Sequence, residues 1–328
     1  MTDEHSEILA SAKELKSLVY TADQIVLGRE DSDLDAIQEQ IVTGFARLCR
    51  QLDKQRRSDE ETAAKIGEEL KRDLLPYILL SHTGERMYSK PRGYAGDYLT
   101  IKQIYENHPR GFGRVGPILD RCFLNQPAAK ATRNRRQLLF DEIINLLNVP
   151  RDSTLMVTSL ACGPGAEVMD VFDARQAPID LEVTLLDIDL HALAHISDEA
   201  EIREIRRQLN LLHGNLVYVI SGRQQFTIPP QDLVYSHGLT DYFGDEFVVG
   251  LLNYMHGLLK PGGKAIIGNV HPDNSDKALL DYILDWPLIH RTESDMNRLF
   301  SSSYFGRPCD RLYFESEHVI LFAEAVKS

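Results

Sequence analysis

The chain has 328 residues, 43% hydrophobic and 26% charged, an ordinary globular balance that excludes a disordered or fibrous protein. A formal net charge of -13 argues against a general nucleic-acid-binding surface, and no apolar run is long enough for a membrane span. The polar start lacks the apolar core of a leader, which points to a cytoplasmic protein. Its scattered cysteines (Cys49, Cys122, Cys162, Cys309) suit reduced thiols better than a disulfide framework or a metal site.

Up to about residue 81 the apolar pattern is helical. Ile8, Leu15, Leu18 and Val19 recur at helical steps, as do Ile37, Ile41, Phe45, Leu48 and Leu52, and then Ile66, Leu70, Leu74 and Ile78. Gly84, Pro91, Gly93 and Gly96 punctuate the next stretch, and residues 86–98 read as a lid-like loop carrying Tyr88, Tyr94 and Tyr98. Helices are expected over 99–108 and 117–147, and Pro150 marks a break. Residues 86–136 hold eleven Lys and Arg against three acids, Asp97, Glu106 and Asp120. Such an island is either a solvated face that pairs with the acidic remainder or a surface facing an anion.

From residue 150 strands and helices alternate. Strands are expected over 154–160, 181–186, 216–221, 233–236 and 264–270, with helices over 167–174, 191–207 and 247–259 between them. Residues 311–315 and 318–325 form a terminal hairpin. The fold class is therefore α/β, a mostly parallel sheet with a terminal antiparallel hairpin, and an N-terminal helical domain. The domain boundary is expected between 149 and 150.

Chemistry concentrates at the strand ends. Ser159-Leu-Ala-Cys-Gly-Pro-Gly165 follows a strand and opens a helix, so Gly163 and Gly165 let the backbone pass close to a ligand beside free N–H groups. A dinucleotide fingerprint requires a third glycine where Val168 stands, which disfavours a pyrophosphate ligand. The next strand ends in Asp187-Ile188-Asp189. A carboxylate there accepts hydrogen bonds from vicinal ribose hydroxyls, while Asp189 suits a helix N-cap. Ser236 and His237 end a later strand, and Lys260-Pro-Gly-Gly-Lys264 forms a tight turn into the next.

The Ala-Cys-Gly-Pro-Gly loop, the Leu-Leu-Asp-Ile-Asp strand end and the Leu-Lys-Pro-Gly-Gly turn together resemble the class I (Rossmann-like) S-adenosylmethionine-dependent methyltransferases over residues 150–328. The resemblance implies S-adenosyl-L-methionine as cofactor. Gly163 and Gly165 then approach its methionine moiety, Asp187 holds its ribose, and Ser221 and Gly222 border its adenine. Ala161, Ile188 and Ser236 complete the set of cofactor-binding strand ends. A narrower likeness rests on Pro91-Arg-Gly-Tyr-Ala-Gly-Asp-Tyr98, Arg133-Asn-Arg-Arg136, Gly238-Leu-Thr-Asp-Tyr242, Gly268-Asn-Val-His-Pro272 and Trp286-Pro-Leu-Ile-His-Arg291. These resemble the bacterial methyltransferases of extracellular-factor (3-hydroxypalmitic acid methyl ester) biosynthesis, which implies a small-molecule carboxylic acid substrate and a methyl ester product.

A carboxylate acceptor is already an anion at neutral pH and needs positioning, not a base. Arg92 and Arg291 are the cationic candidates, and His237, Tyr242 and His271 the hydrogen-bonding ones. An ion pair with Glu293 or Asp295 is the competing role for Arg291. In the loop 86–98, Tyr94 shields the cofactor and Asp97 meets its ammonium, or the tyrosines merely pack the helical segment. Trp286 walls an acceptor pocket or is core. A hydroxyl or amine acceptor instead requires His237 or His271 as base. A cofactor-binding regulator without turnover is the reading from another class. No metal is expected, and the long N-terminal helices make a homodimer conceivable.

Overall fold

In the computed structural model residues 3–29, 33–175 and 180–328 are described, and the chain divides into two compact units. One comprises Met1–Thr132 with Asp273–Pro287, the other Arg133–Pro272 with Leu288–Ser328. The division falls inside a helix and so differs from the expected 149/150. The C-terminal part of that helix is tied to the second unit by Arg136 to Asp170 (2.6 Å) and Lys264 to Glu142 (2.6 Å).

The first unit is helical. Helix α1 covers Asp3–Val26, α2 Leu34–Ser58 and α3 Glu60–Ile78. The carboxylates of Asp33 and Asp59 cap the N-termini of α2 and α3 by accepting backbone N–H groups the helices leave unpaired. The apolar stripes of these helices meet in one core of Ile8, Leu15, Val19, Ile41, Phe45, Leu48, Leu52, Ile66, Leu70 and Leu74, each buried. At roughly 1.5–3 kcal/mol per large side chain, this burial is the main source of the unit's stability. Shorter helices follow: α4 (His82–Ser89), α5 (Tyr98–Glu106) and α6 (Gly116–Leu124). Buried Asp120 organises their junction by accepting from Ser81 Oγ (2.6 Å), Thr83 N (2.7 Å) and Arg110 N (2.9 Å). Residues 273–287 return to this unit, where Tyr282 packs so closely on α3 that a Cβ at Gly67 would lie 2.4 Å from it. Buried Trp286 belongs to this segment.

The single helix expected over 117–147 is two. α6 ends at Leu124 with Asn125 as its C-cap, and α7 (Pro127–Leu147) restarts on a proline, whose missing N–H costs nothing in a first turn.

The second unit is built on a seven-stranded sheet. Its elements are β1 (Leu155–Leu160), α8 (Ala166–Arg175), β2 (Leu181–Asp187), α9 (Leu190–Ile202), β3 (Leu209–His213), α10 (Leu216–Ile220), β4 (Gln231–His237), α11 (Asp245–Leu258), β5 (Leu259–Val270), α12 (Glu293–Ser302), β6 (Arg311–Phe314) and β7 (Ile320–Val326). The strand order is β3-β2-β1-β4-β5-β7-β6. β1 to β5 run parallel, and the terminal hairpin adds β7 and β6 antiparallel, as expected. The order reverses between β1 and β4, which opens a crevice at the carboxyl ends of these two strands.

Two expectations are corrected here. The third strand is Leu209–His213, and residues 216–220, expected as a strand, form α10. A short apolar run such as Leu-Val-Tyr-Val-Ile carries no period that separates strand from helix. The Asn215 carboxamide decides it by accepting the Val217 N–H (2.9 Å) as N-cap, and the helix buries Leu216 and Val219. The expected turn at 260–264 is part of β5, where a register shift against β4 and the left-handed Gly262 absorb the irregularity.

Candidate active site

The loop after β1 carries three left-handed residues, Ala161 (φ 57°), Gly163 (φ 55°) and Gly165 (φ 59°). Ala161 holds that conformation at a cost of about 1–2 kcal/mol, the kind of strain that collects where a ligand is bound. A Cβ built on Gly163 meets no atom within 4 Å, whereas one on Gly165 meets Ile196 of α9 at 3.1 Å. Gly163 therefore faces open space and Gly165 faces packing.

Asp187 at the end of β2 fixes this loop. Its Oδ2 accepts the Gly163 N–H and its Oδ1 the Asp189 N–H, both at 2.8 Å. Each oxygen keeps a lone pair for a further donor. Burial raises the Asp187 pKa against the pull of these two N–H groups. Asp189 caps α9 through the His191 N–H (2.9 Å), as the sequence predicts, and Ile188 between them is 55% exposed. Because the third strand ends at His213, Gly214 and Asn215 occupy the position that follows it. Ser221 and Gly222 lie beyond the far end of α10 and are exposed, so the expected strand-end position of this pair is corrected.

At the end of β4, buried His237 stacks on Tyr235 with ring centroids 5.9 Å apart. Glu167, from the first turn of α8, accepts the Tyr235 hydroxyl (2.9 Å) and lies 3.6 Å from His237 Nε2. Its Oε2 and both His237 ring nitrogens are buried without a hydrogen-bond partner among the described residues. Burial works against ionisation of Glu167, but the nearby His237 imidazole, a backbone N–H and the Tyr235 hydroxyl outweigh it and hold its pKa low. Burial likewise holds the His237 pKa below its ordinary value, reinforced by Arg135 and opposed by Glu167. Beside them Arg135 of α7, 8% exposed, brings Nη1 to 2.8 Å from a Cβ built on Gly238, which is left-handed (φ 72°). Its Nε is buried without a partner among the described residues. Asp241, in the turn after β4, accepts the Val270 N–H (2.6 Å), and burial pushes its pKa up to about 6.

The remaining candidates divide. Ser236 is buried and donates to Leu160 O (2.9 Å), tying β4 to β1. Arg291, 2% exposed, donates to Thr240 O (2.8 Å), Asn269 Oδ1 (2.8 Å), Phe243 O (2.7 Å) and Asp245 Oδ1 (3.0 Å). Its fork is consumed by the protein, and its ion pair is with Asp245 instead of Glu293 or Asp295. Buried His271 lies 3.3 Å from Glu293 and edge-on to Phe314. Tyr242 is 39% exposed. Arg92, Tyr94 and Asp97 belong to the first unit. There Arg92 lies over the Tyr98 ring (5.2 Å), Tyr94 is 40% exposed, and buried Asp97 caps α5 and pairs with Arg86 at 2.7 Å. The Asp97 carboxylate is thus committed to Arg86, Leu99 and Thr100, where the sequence reading gave it to an ammonium.

Arg135 and Glu167 are the residues that sequence reasoning passed over. Arg135 was one cation among eleven, and Glu167 was the acid two places after Gly165, a spot that an N-terminal helix charge explains by itself.

The chain matches, over residues 89–273, the model of a family described as "Putative methyltransferase". It belongs to this methyltransferase family. No curated protein matches the chain. Among solved structures, one described as a possible exported protein from Bordetella parapertussis shares 19% identity and a TM-score of 0.61, covering 100% of this chain and 99% of its own. Magnesium protoporphyrin IX methyltransferase from Synechocystis PCC 6803, with bound S-adenosylhomocysteine, shares 16% identity with a TM-score of 0.46, covering 61% and 87%. At 19% identity the likeness to the first of these is one of fold. No helix among the described residues of the methyltransferase is long and apolar enough to cross a membrane.

Proposed function

We propose that this methyltransferase uses S-adenosyl-L-methionine to methylate the carboxylate of a small or fatty acid, including a 3-hydroxy acid, with a methyl ester as product and the cytoplasm as its compartment. The cofactor fits the crevice on three observations. Space is open at Gly163, Asp187 keeps lone pairs for two ribose hydroxyls, and Glu167 Oε2 is a buried carboxylate oxygen that lacks a donor. When bound, the cofactor supplies an electrophilic methyl group on a sulfonium centre for in-line displacement.

The residues of the chain then bind, orient and exclude water. Asp187 accepts the ribose hydroxyls while it holds the glycine loop, and Glu167 receives the methionine ammonium. Gly214 and Asn215 border the adenine in place of Ser221 and Gly222. Such positioning is the main source of rate in a displacement of this kind.

The carboxylate acceptor rests on one observation. His237, the imidazole at the strand end beside the cofactor loop, is buried with a lowered pKa and no hydrogen-bonded relay, which makes it a weak base. An acceptor that arrives already ionised avoids that weakness. A hydroxyl or amine acceptor with His237 as base is the second reading, favoured by Glu167 at 3.6 Å. Single-turnover methylation as a function of pH separates them. The carboxylate reading predicts a rate that stays flat from neutral pH down through the range below the ordinary imidazole pKa, where the buried His237 titrates, and a rate that climbs there as one imidazole deprotonates contradicts it.

A further inference from the structure

Arg135 is a buried guanidinium that the fold leaves unanswered. It is 8% exposed, its Nε has no partner, and no hydrogen bond or ion pair among the described residues reaches it. Asp241 feels its charge but makes no hydrogen bond or ion pair with it among the described residues; its Oδ1 accepts the Val270 N–H. Burying a cation without a partner is costly, so such a group in a crevice calls for an anion from outside the chain. The planar fork of arginine matches a carboxylate bidentately.

Its position separates the two carboxylates that methyl transfer to an acid brings to the crevice. The cofactor cradle lies after β1, β2 and β3, at Gly163, Asp187 and Gly214. Arg135 instead abuts Gly238, beyond β4, and two titratable groups that feel its charge, His237 and Asp241, stand at the end of β4 or after it. That is the side of the switch point away from the ribose.

We propose that Arg135 is the specificity-determining residue of this methyltransferase, gripping the acceptor's carboxylate and presenting it beside His237. The assignment rests on the carboxylate reading above. It replaces Arg291, whose fork is already filled, and assigns the role to a residue of the second unit instead of Arg92. Gly238 is part of the same device, because a side chain there would collide with the guanidinium.

The test uses the full chain with Arg135→Met and Arg135→Lys. The probes are a ladder of straight-chain acids from butanoate to hexadecanoate with isotopically labelled methyl donor, together with S-adenosylhomocysteine binding by calorimetry. Loss of a charge-assisted fork raises the acceptor KM about 100-fold in Arg135→Met. S-adenosylhomocysteine affinity stays within about twofold, since the cofactor cradle lies apart from Arg135. The melting temperature is unchanged or higher, because an unpaired buried charge has gone. Arg135→Lys keeps the charge without the fork and falls between.

Three results overturn the assignment. A loss confined to S-adenosylhomocysteine affinity gives Arg135 to the cofactor's own carboxylate. Unchanged kinetics in both variants remove it from the reaction, and a lowered melting temperature in both makes it a structural residue. Failure of the underlying reading has a different signature in the wild type: label in an alkali-stable ether or amine, with none in an ester.

Discussion

Replacing Asp187 by alanine separates the two tasks this carboxylate performs. Its oxygens accept the Gly163 and Asp189 N–H groups at 2.8 Å, and their remaining lone pairs are the ones proposed to accept the ribose hydroxyls. Two hydroxyl donors to a carboxylate together contribute about 3 kcal/mol, and slackening of the loop adds about 1 kcal/mol. The sum corresponds to a loss of roughly 1000-fold in S-adenosylhomocysteine affinity. Calorimetry with a deoxy analogue lacking one ribose hydroxyl isolates the first part. In the wild type, removing a hydroxyl costs about tenfold or more, whereas in Asp187→Ala the same removal costs almost nothing. Equal penalties for the missing hydroxyl in both proteins would refute the ribose contact and leave Asp187 as a loop anchor only.

Other perturbations follow the same geometry. Gly163→Ala places a methyl group in open space on a left-handed backbone, so it costs about 1 kcal/mol in urea unfolding yet severely weakens cofactor binding; unaltered binding would move the cofactor away from this loop. Arg291→Met strips donors from Thr240, Phe243, Asn269 and Asp245, and lowers stability by about 3 kcal/mol. The signature sought is a fallen melting temperature without a selective rise in acceptor KM. Asp241 titrates near about 6 in the folded chain against roughly 4 when unfolded, so the folded state holds its proton between those values. Its contribution to stability therefore grows as pH falls through about 6 and levels off near roughly 4. Between about pH 7.5 and about pH 4.5, denaturant titrations should show wild type gaining about 2 kcal/mol relative to Asp241→Asn, and a constant difference contradicts the burial of this carboxyl.

Every strand but the third, and the glycine loop, were legible because their physics is local. A β-rich run followed by Gly163 and Gly165, and an acid closing the next run, leave few other arrangements. The hairpin of 311–325 and the capping role of Asp189 were readable on the same ground. What the sequence hid depended on tertiary neighbours. Leu216–Ile220 reads equally as strand or helix until Asn215 caps it, and that moves the position after the third strand to residues 214–215, where the adenine border is proposed. Nothing in the spacing shows that Arg291 spends its fork on Thr240, Asn269, Phe243 and Asp245, or that Asp97 is taken by Arg86. Arg135 is set apart by being buried without a partner among the described residues, a property that exists after folding alone.

The most direct test of the account is mass spectrometry of acids incubated with the purified protein and S-adenosylmethionine carrying an isotopically labelled methyl group. The account predicts one labelled methyl per acceptor, on the carboxylate, released by mild alkali and absent with Asp187→Ala. Label on any other atom of an acceptor, or equal ester formation by the Asp187 variant, contradicts it.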